Sequence, residues 1–199
     1  FPEAMAMKVT LVFPPSVSPS CIPLGIASLK AFIEKDTAGV DVRLLDLNLS
    51  FMNKILSGQC HDLHNICKRG NVVCKDIDRN CYFKGSLTKG QKAIFEKAKT
   101  VPRDKRLFFD REIFRLFFGD CYNYTRSFND CISKIIINYL SGKLADSGII
   151  REIFSEELKD MWSTRPDIVG FSILVNKQLL YSLALAKMIK ESFNIPIVF

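Results

Sequence analysis

From Lys8 to Phe13 the chain is a continuous apolar and β-branched run, the pattern of a strand covered on both faces. Pro14 and Pro15 end it, because neither can donate to a ladder and each fixes φ. Ser16 to Cys21 reads as a loop, and Pro23 suits the first turn of a helix, where its missing N–H has no partner to lose. Leu24, Ala27, Leu29, Ala31, Phe32 and Ile33 supply the apolar side of that helix, which ends near Asp36 before Gly39. Val40, Val42, Leu44, Leu45 and Leu47 make a second strand. The unit is βαβ, and its crossover should be right-handed.

The same grammar returns downstream. Ile168 to Ile173 is another apolar run. Lys177 to Phe193 has helical spacing, with Leu179, Leu180, Leu183, Leu185, Ala186, Ile189 and Phe193 as its stripe. Ile195 to Phe199 opens a fourth strand. The predicted fold is therefore α/β, an open doubly wound parallel sheet of Rossmann-like type. Because such a sheet rarely stops on a strand, the chain is expected to be a fragment of a longer protein. Residues 1–6 read as vector-derived or a ragged start, 7–47 as the first βαβ part, and 166–199 as the second part.

Between these blocks lies a mainly helical insertion, 48–165, far longer than an ordinary connection. Helices are predicted over Asn48–Leu56, Gln91–Lys99, Asp110–Phe118, Tyr122–Leu140 and Ser147–Trp162. Gly58 to Gly90 is mixed and polar and receives no assignment. Leu107, Phe108, Phe109, Ile113, Phe114, Leu116, Phe117 and Phe118 carry too many apolar side chains for one narrow stripe, so burial on several sides is expected.

Composition narrows the class. With 199 residues, 48% apolar and 25% charged, the chain is globular and long enough for a real core. No apolar run approaches the roughly 20 residues that cross a bilayer, and no signal peptide is seen, so a cytoplasmic protein with no membrane partner is expected. Seven cysteines suit a reducing compartment. The formal charge is +7, and the stretch Cys60–Asp130 holds 15 basic against 9 acidic residues, so nearly all of the surplus sits there. A basic surface of this kind meets nucleic acid, an acidic peptide or another domain. Solvated lysines are the default, and nucleic acid is not the expected partner.

The chemistry is read first by exclusion. Neither GxGxxG nor GxxxxGK(S/T) follows the first strand, and a double proline removes two N–H groups that a phosphate nest would need. Asp46 stands where a ribose-binding acid would stand, but without the glycines it reads as a helix-capping or turn carboxylate. The histidines are His61 and His64 alone, inside the insertion. Cys60, Cys67, Cys74 and Cys81 recur at intervals of seven, yet the spacings match no standard zinc or iron–sulfur pattern. Free thiols and no metal site are expected, and no catalytic residue is assigned.

Lys8–Pro15, Pro23-Leu24-Gly25, Val40–Asn48 and Arg165–Ser172, in that order, together resemble the amino-terminal cobalamin-binding domain of radical S-adenosylmethionine enzymes. Ala184–Lys190 and the closing Ile195–Phe199 are similar to the same family. The resemblance covers the two framework blocks and leaves the insertion unexplained. It implies a cobalamin-binding type of Rossmann-like sheet, corrinoid as cofactor, and a parent enzyme that is a methyltransferase acting on a small-molecule or peptide substrate. The loop after the first strand has no histidine, so cobalt is expected to carry no protein imidazole; Asp62-Leu63-His64 imitates that motif by coincidence. The chain lacks CxxxCxxC. S-adenosylmethionine and a 4Fe–4S cluster are accordingly expected only in a carboxyl-terminal radical domain, the chain's own partner, and this chain alone is expected to be inactive.

On this resemblance, a corrin needs a smooth apolar platform with a few hydrogen-bonding groups. Pro14, Pro15, Ile22 and Leu24 would supply apolar contact, and Ser16 a hydroxyl. Ser172, Asn176 and Gln178 would be donors or acceptors, with Leu174 and Val175 facing the lower side of cobalt. Two other classes compete: a flavodoxin-like or receiver-like regulatory or interaction module without corrinoid, and a nucleic-acid- or peptide-binding protein working through the basic insertion.

Overall fold

The computed structural model describes residues 6–15, 23–57, 93, 106, 110–116, 122–144 and 148–199. The chain divides into two compact units, Phe1–Ser50 with Ile150–Phe199, and Phe51–Ile149.

The first unit is α/β. Its strands are β1 (Met7–Phe13), β2 (Val40–Asp46), β3 (Ile168–Phe171) and β4 (Ile197–Val198), all parallel and ordered β2-β1-β3-β4. Val9 to Phe13 are buried without alternation, as their unbroken apolar run predicts for a strand with neighbours above, below and on both sides. Register runs from Met7↔Val40 to Phe13↔Asp46 on one side and from Val9↔Ile168 to Val12↔Phe171 on the other. Asp167 fixes the second pairing: its carboxylate accepts the Lys8 N–H at 2.8 Å while its own N–H donates to the Lys8 carbonyl at 2.8 Å. Gly170 faces Leu11, whose Cδ2 would lie 3.0 Å from a Cβ added there, so a larger residue would have to push the leucine aside.

Helix α1 (Leu24–Asp36) covers β1 and β2 with a side that shares only Ile33 with the stripe its sequence predicts. Ile26 is buried and Ile33 packs against Val9, Leu11, Phe13 and Val42, whereas Leu24, Leu29 and Phe32 are exposed. A helix apolar on most of its circumference does not announce its inner side, and here the Ile26–Lys30–Ile33 line points inward. Lys30 lies along that line and donates from Nζ to the Val42 carbonyl and, at 2.6 Å, to Glu34. The bond to Val42 ties α1 to β2.

Helix α2 (Leu47–Ser57) follows β2 directly. Helices α3 (Arg111–Leu116) and α4 (Tyr122–Leu140) fall near their predicted spans, and Asp110 caps α3 by accepting the N–H groups of Glu112 and Ile113, each at 3.0 Å. In the Phe51–Ile149 unit, α4 buries Phe128, Cys131, Ile132, Ile135, Ile136 and Tyr139, each 2% exposed or less. Their spacing of three and four makes one apolar seam. Phe51 meets Phe128 edge-on, with ring centroids 5.6 Å apart. Cys131 is a free thiol inside this seam.

The single helix predicted over Ser147–Trp162 is two, α5 (Gly148–Ile153) and α6 (Ser155–Thr164), broken at Phe154. The second groups with the sheet rather than with 51–149. Arg43 of β2 reaches the Asp160 carboxylate and, at 3.1 Å, its carbonyl. Ser50 hydrogen-bonds Glu157, and Trp162 packs against Phe193 at a tilt of 36°, with centroids 4.4 Å apart. Arg165 ends α6 in the left-handed region at φ 47°, a terminus no glycine marks. Helix α7 (Asn176–Ser192) buries Tyr181, Ala184, Leu185, Met188 and Ile189. Among the described residues, no helix is long and apolar enough to cross a membrane.

Candidate functional site

In an open parallel sheet, ligands bind beyond the carboxyl ends of the strands. Here β1 and β3 are neighbours, so Pro14-Pro15 and Ser172–Val175 leave the sheet side by side. Ser172 carries the ladder one step past β3, its N–H donating to the Val12 carbonyl at 2.9 Å. Pro14 and Pro15 are buried and bring no N–H to this edge.

The start of α1 closes in from the other direction. A Cβ added at Gly25 would lie 3.1 Å from the Ser172 Oγ, a tight contact that the hydroxyl would have to yield to. Leu24 beside it is 65% exposed, Leu174 62% and Val175 43%. Three apolar side chains thus stand in solvent around one strand edge.

The predicted polar residues separate by role. Ser172 is half-buried beside Gly25. Asn176 is exposed at the first position of α7, and no side chain caps that end. Gln178, expected to face a ligand, is instead fully buried. Its Nε2 donates to the Pro14 carbonyl at 2.8 Å, and its Oε1 accepts the Leu174 N–H at 2.8 Å. Pro14, Pro15, Leu24, Ser172, Leu174 and Val175 are therefore brought to one edge, with Gln178 beneath it. Ser16 and Ile22 lie outside the described residues. So do Cys60, Asp62, His61, His64, Cys67, Cys74 and Cys81, and among the described residues no three metal-ligating side chains gather. Gly25 belongs to this edge for a reason composition hides: a side chain there would press on the Ser172 hydroxyl.

Asp46 ends β2 opposite Phe13 and caps α2, as its position predicts: its Oδ1 accepts the Leu49 N–H at 2.9 Å. Burial pushes its carboxyl above 3.8, against the opposing pull of N–H groups from Leu49 and Asn48. A raised folded-state value means that folding favours the protonated acid. This group's contribution therefore weakens as pH rises from 3.8 through its folded value, and is regained on acidification. At pH 7, Asp46→Asn, which keeps an N-cap oxygen without the charge, is expected to be at least as stable as the wild type in urea titration. Asp46→Ala should be about 1 kcal/mol less stable than Asp46→Asn. A less stable Asn variant at neutral pH would contradict the burial account.

No protein-family model, curated protein or solved structure matches the chain.

Proposed function

We propose that this chain binds a corrinoid, with residues 7–47 and 166–199 forming a Rossmann-like sheet of the cobalamin-binding type and 48–165 a helical insertion in it. The observation that carries the reading is the strand order β2-β1-β3-β4 with Pro14-Pro15 at its centre. The chain leaves β1 toward one edge and β3 toward the other. Right-handed crossovers then put α1 and α7 on opposite faces and open a crevice between the ends of β1 and β3.

The residues at that crevice fit the group. A corrin is a broad, mostly apolar disc with amide arms. Leu24, Leu174 and Val175 offer exposed apolar surface for it, and Ser172 and Asn176 offer hydrogen bonds to the arms. Two prolines withhold the N–H groups that would cradle phosphate. When bound, the cobalt would carry the alkyl group that the parent enzyme transfers. This chain's part would be to seat the ring and to shield one of its faces with Leu174 and Val175. No CxxxCxxC occurs in the 199 residues, so cleavage of S-adenosylmethionine is not assigned to them.

Hydroxocobalamin mixed with the purified chain should co-elute with it on gel filtration, giving an absorbance band in the protein peak. Protein that folds, by circular dichroism, and elutes colourless would overturn the reading. The same strand order also favours a flavodoxin-like or receiver-like module. Uptake of a flavin instead of a corrinoid in that experiment would select the flavodoxin-like reading.

A further inference from the structure

We infer that Gln178 is a positioning residue that ties the turn after β1 to the loop after β3, so that the rim of the proposed corrinoid crevice is arranged before any ligand arrives. A carboxamide has a donating end and an accepting end, and here each end has the one partner it suits. Nε2 faces a carbonyl, at Pro14, and Oε1 faces an N–H, at Leu174, both at 2.8 Å. Both partners precede Gln178 in the chain, Pro14 by 164 positions and Leu174 by four. The ladder between β1 and β3 ends at the Ser172 N–H. Beyond that bond, Gln178 is the described link between the two loops.

The side chain is itself immobilised. Gln178 is 0% exposed; its main-chain N–H donates to the Val175 carbonyl at 2.9 Å, and its main-chain carbonyl accepts the Ser182 hydroxyl at 2.8 Å, which fixes the backbone that carries it. No part of it is open to a ligand, which separates it from Ser172, Leu174 and Asn176. Asparagine, one methylene shorter, would not span both partners. An apolar replacement would leave a buried carbonyl and a part-buried N–H unpaired, each at the cost of its desolvation. The loops would then part, and the ligand would have to order them as it binds.

The test uses the full chain as wild type, Gln178→Met and Gln178→Glu at pH 8, read by amide exchange at Leu174 and by hydroxocobalamin titration. Methionine fills the volume and loses both bonds. An ionised glutamate still accepts the Leu174 N–H but has no proton for the Pro14 carbonyl. Exchange at Leu174 should accelerate at least about tenfold in Gln178→Met and stay slow in Gln178→Glu, with the β1 amides unchanged in both. Hydroxocobalamin affinity should fall about five- to tenfold in both variants, the equivalent of one lost hydrogen bond. Leu174 equally protected in Gln178→Met, or wild-type affinity in both variants, would overturn the inference. If the wild type takes up no hydroxocobalamin, the corrinoid reading fails. Exchange at Leu174 then decides the role of Gln178 alone, supporting it if Gln178→Met frees that amide and refuting it if not.

Discussion

Phe13→Ala is expected to lower the stability of the sheet unit by about 3–5 kcal/mol, the range for removing a fully buried aromatic ring. Phe13 is 1% exposed and closes a cluster with Val9, Leu11, Ile26 and Val42. It is the last residue of β1 and sits opposite Asp46, immediately below the turn at Pro14. The loss adds the transfer energy of the ring to the void left where α1 meets the sheet. Natural domains are stable by only about 5–15 kcal/mol, so the variant should stand close to unfolding at room temperature. With a urea slope near 2 kcal/mol/M, the midpoint should fall by about 2 M. A shift below about 0.5 M would mean that Phe13 does not anchor α1 to the sheet.

Leu174→Asp should do the opposite, sparing the fold and removing the ligand. Leu174 is 62% exposed, and substitutions at such positions change stability by no more than about 0.5 kcal/mol. An apolar disc seated on this loop would force the new carboxylate out of water, which costs far more than covering a leucine. Hydroxocobalamin affinity is therefore expected to drop by at least about tenfold, while the urea midpoint stays at the wild-type value. Unchanged affinity would remove Leu174 from the platform.

The sheet was legible because β1 and β3 are unbroken apolar runs stopped by Pro14 and followed by Ser172, and period-free apolar strands belong to buried parallel sheets. Helix α4 was legible to the residue at both ends, since its seam from Phe128 to Tyr139 repeats at three and four. The inward side of α1 was not. Leu24, Leu29 and Phe32 are as apolar as Ile26 and Ile33, and the side that faces inward is set by the shape of β1 and β2. The break at Phe154 was hidden for a similar reason: the periodicity runs through it. Pro14, Pro15, Leu24, Ser172, Leu174 and Val175 were named from the resemblance, and the strand order, which the hydrophobic pattern does not state, makes their loops neighbours. Gln178 shows the limit of that approach. A polar residue in the first turn of a helix after a strand reads as a ligand donor, and only coordinates reveal a carbonyl from the other end of the chain waiting for it.

The claim that most of this depends on is that the loops after β1 and β3, with the start of α1, form one ligand surface. Hydrogen exchange on the full chain, with and without saturating hydroxocobalamin, tests it directly. The account predicts slowed exchange at the amides of Leu24–Ile26 and Ser172–Val175 and none across Tyr122–Leu140. Protection confined to Tyr122–Leu140, or no protection anywhere, would contradict it.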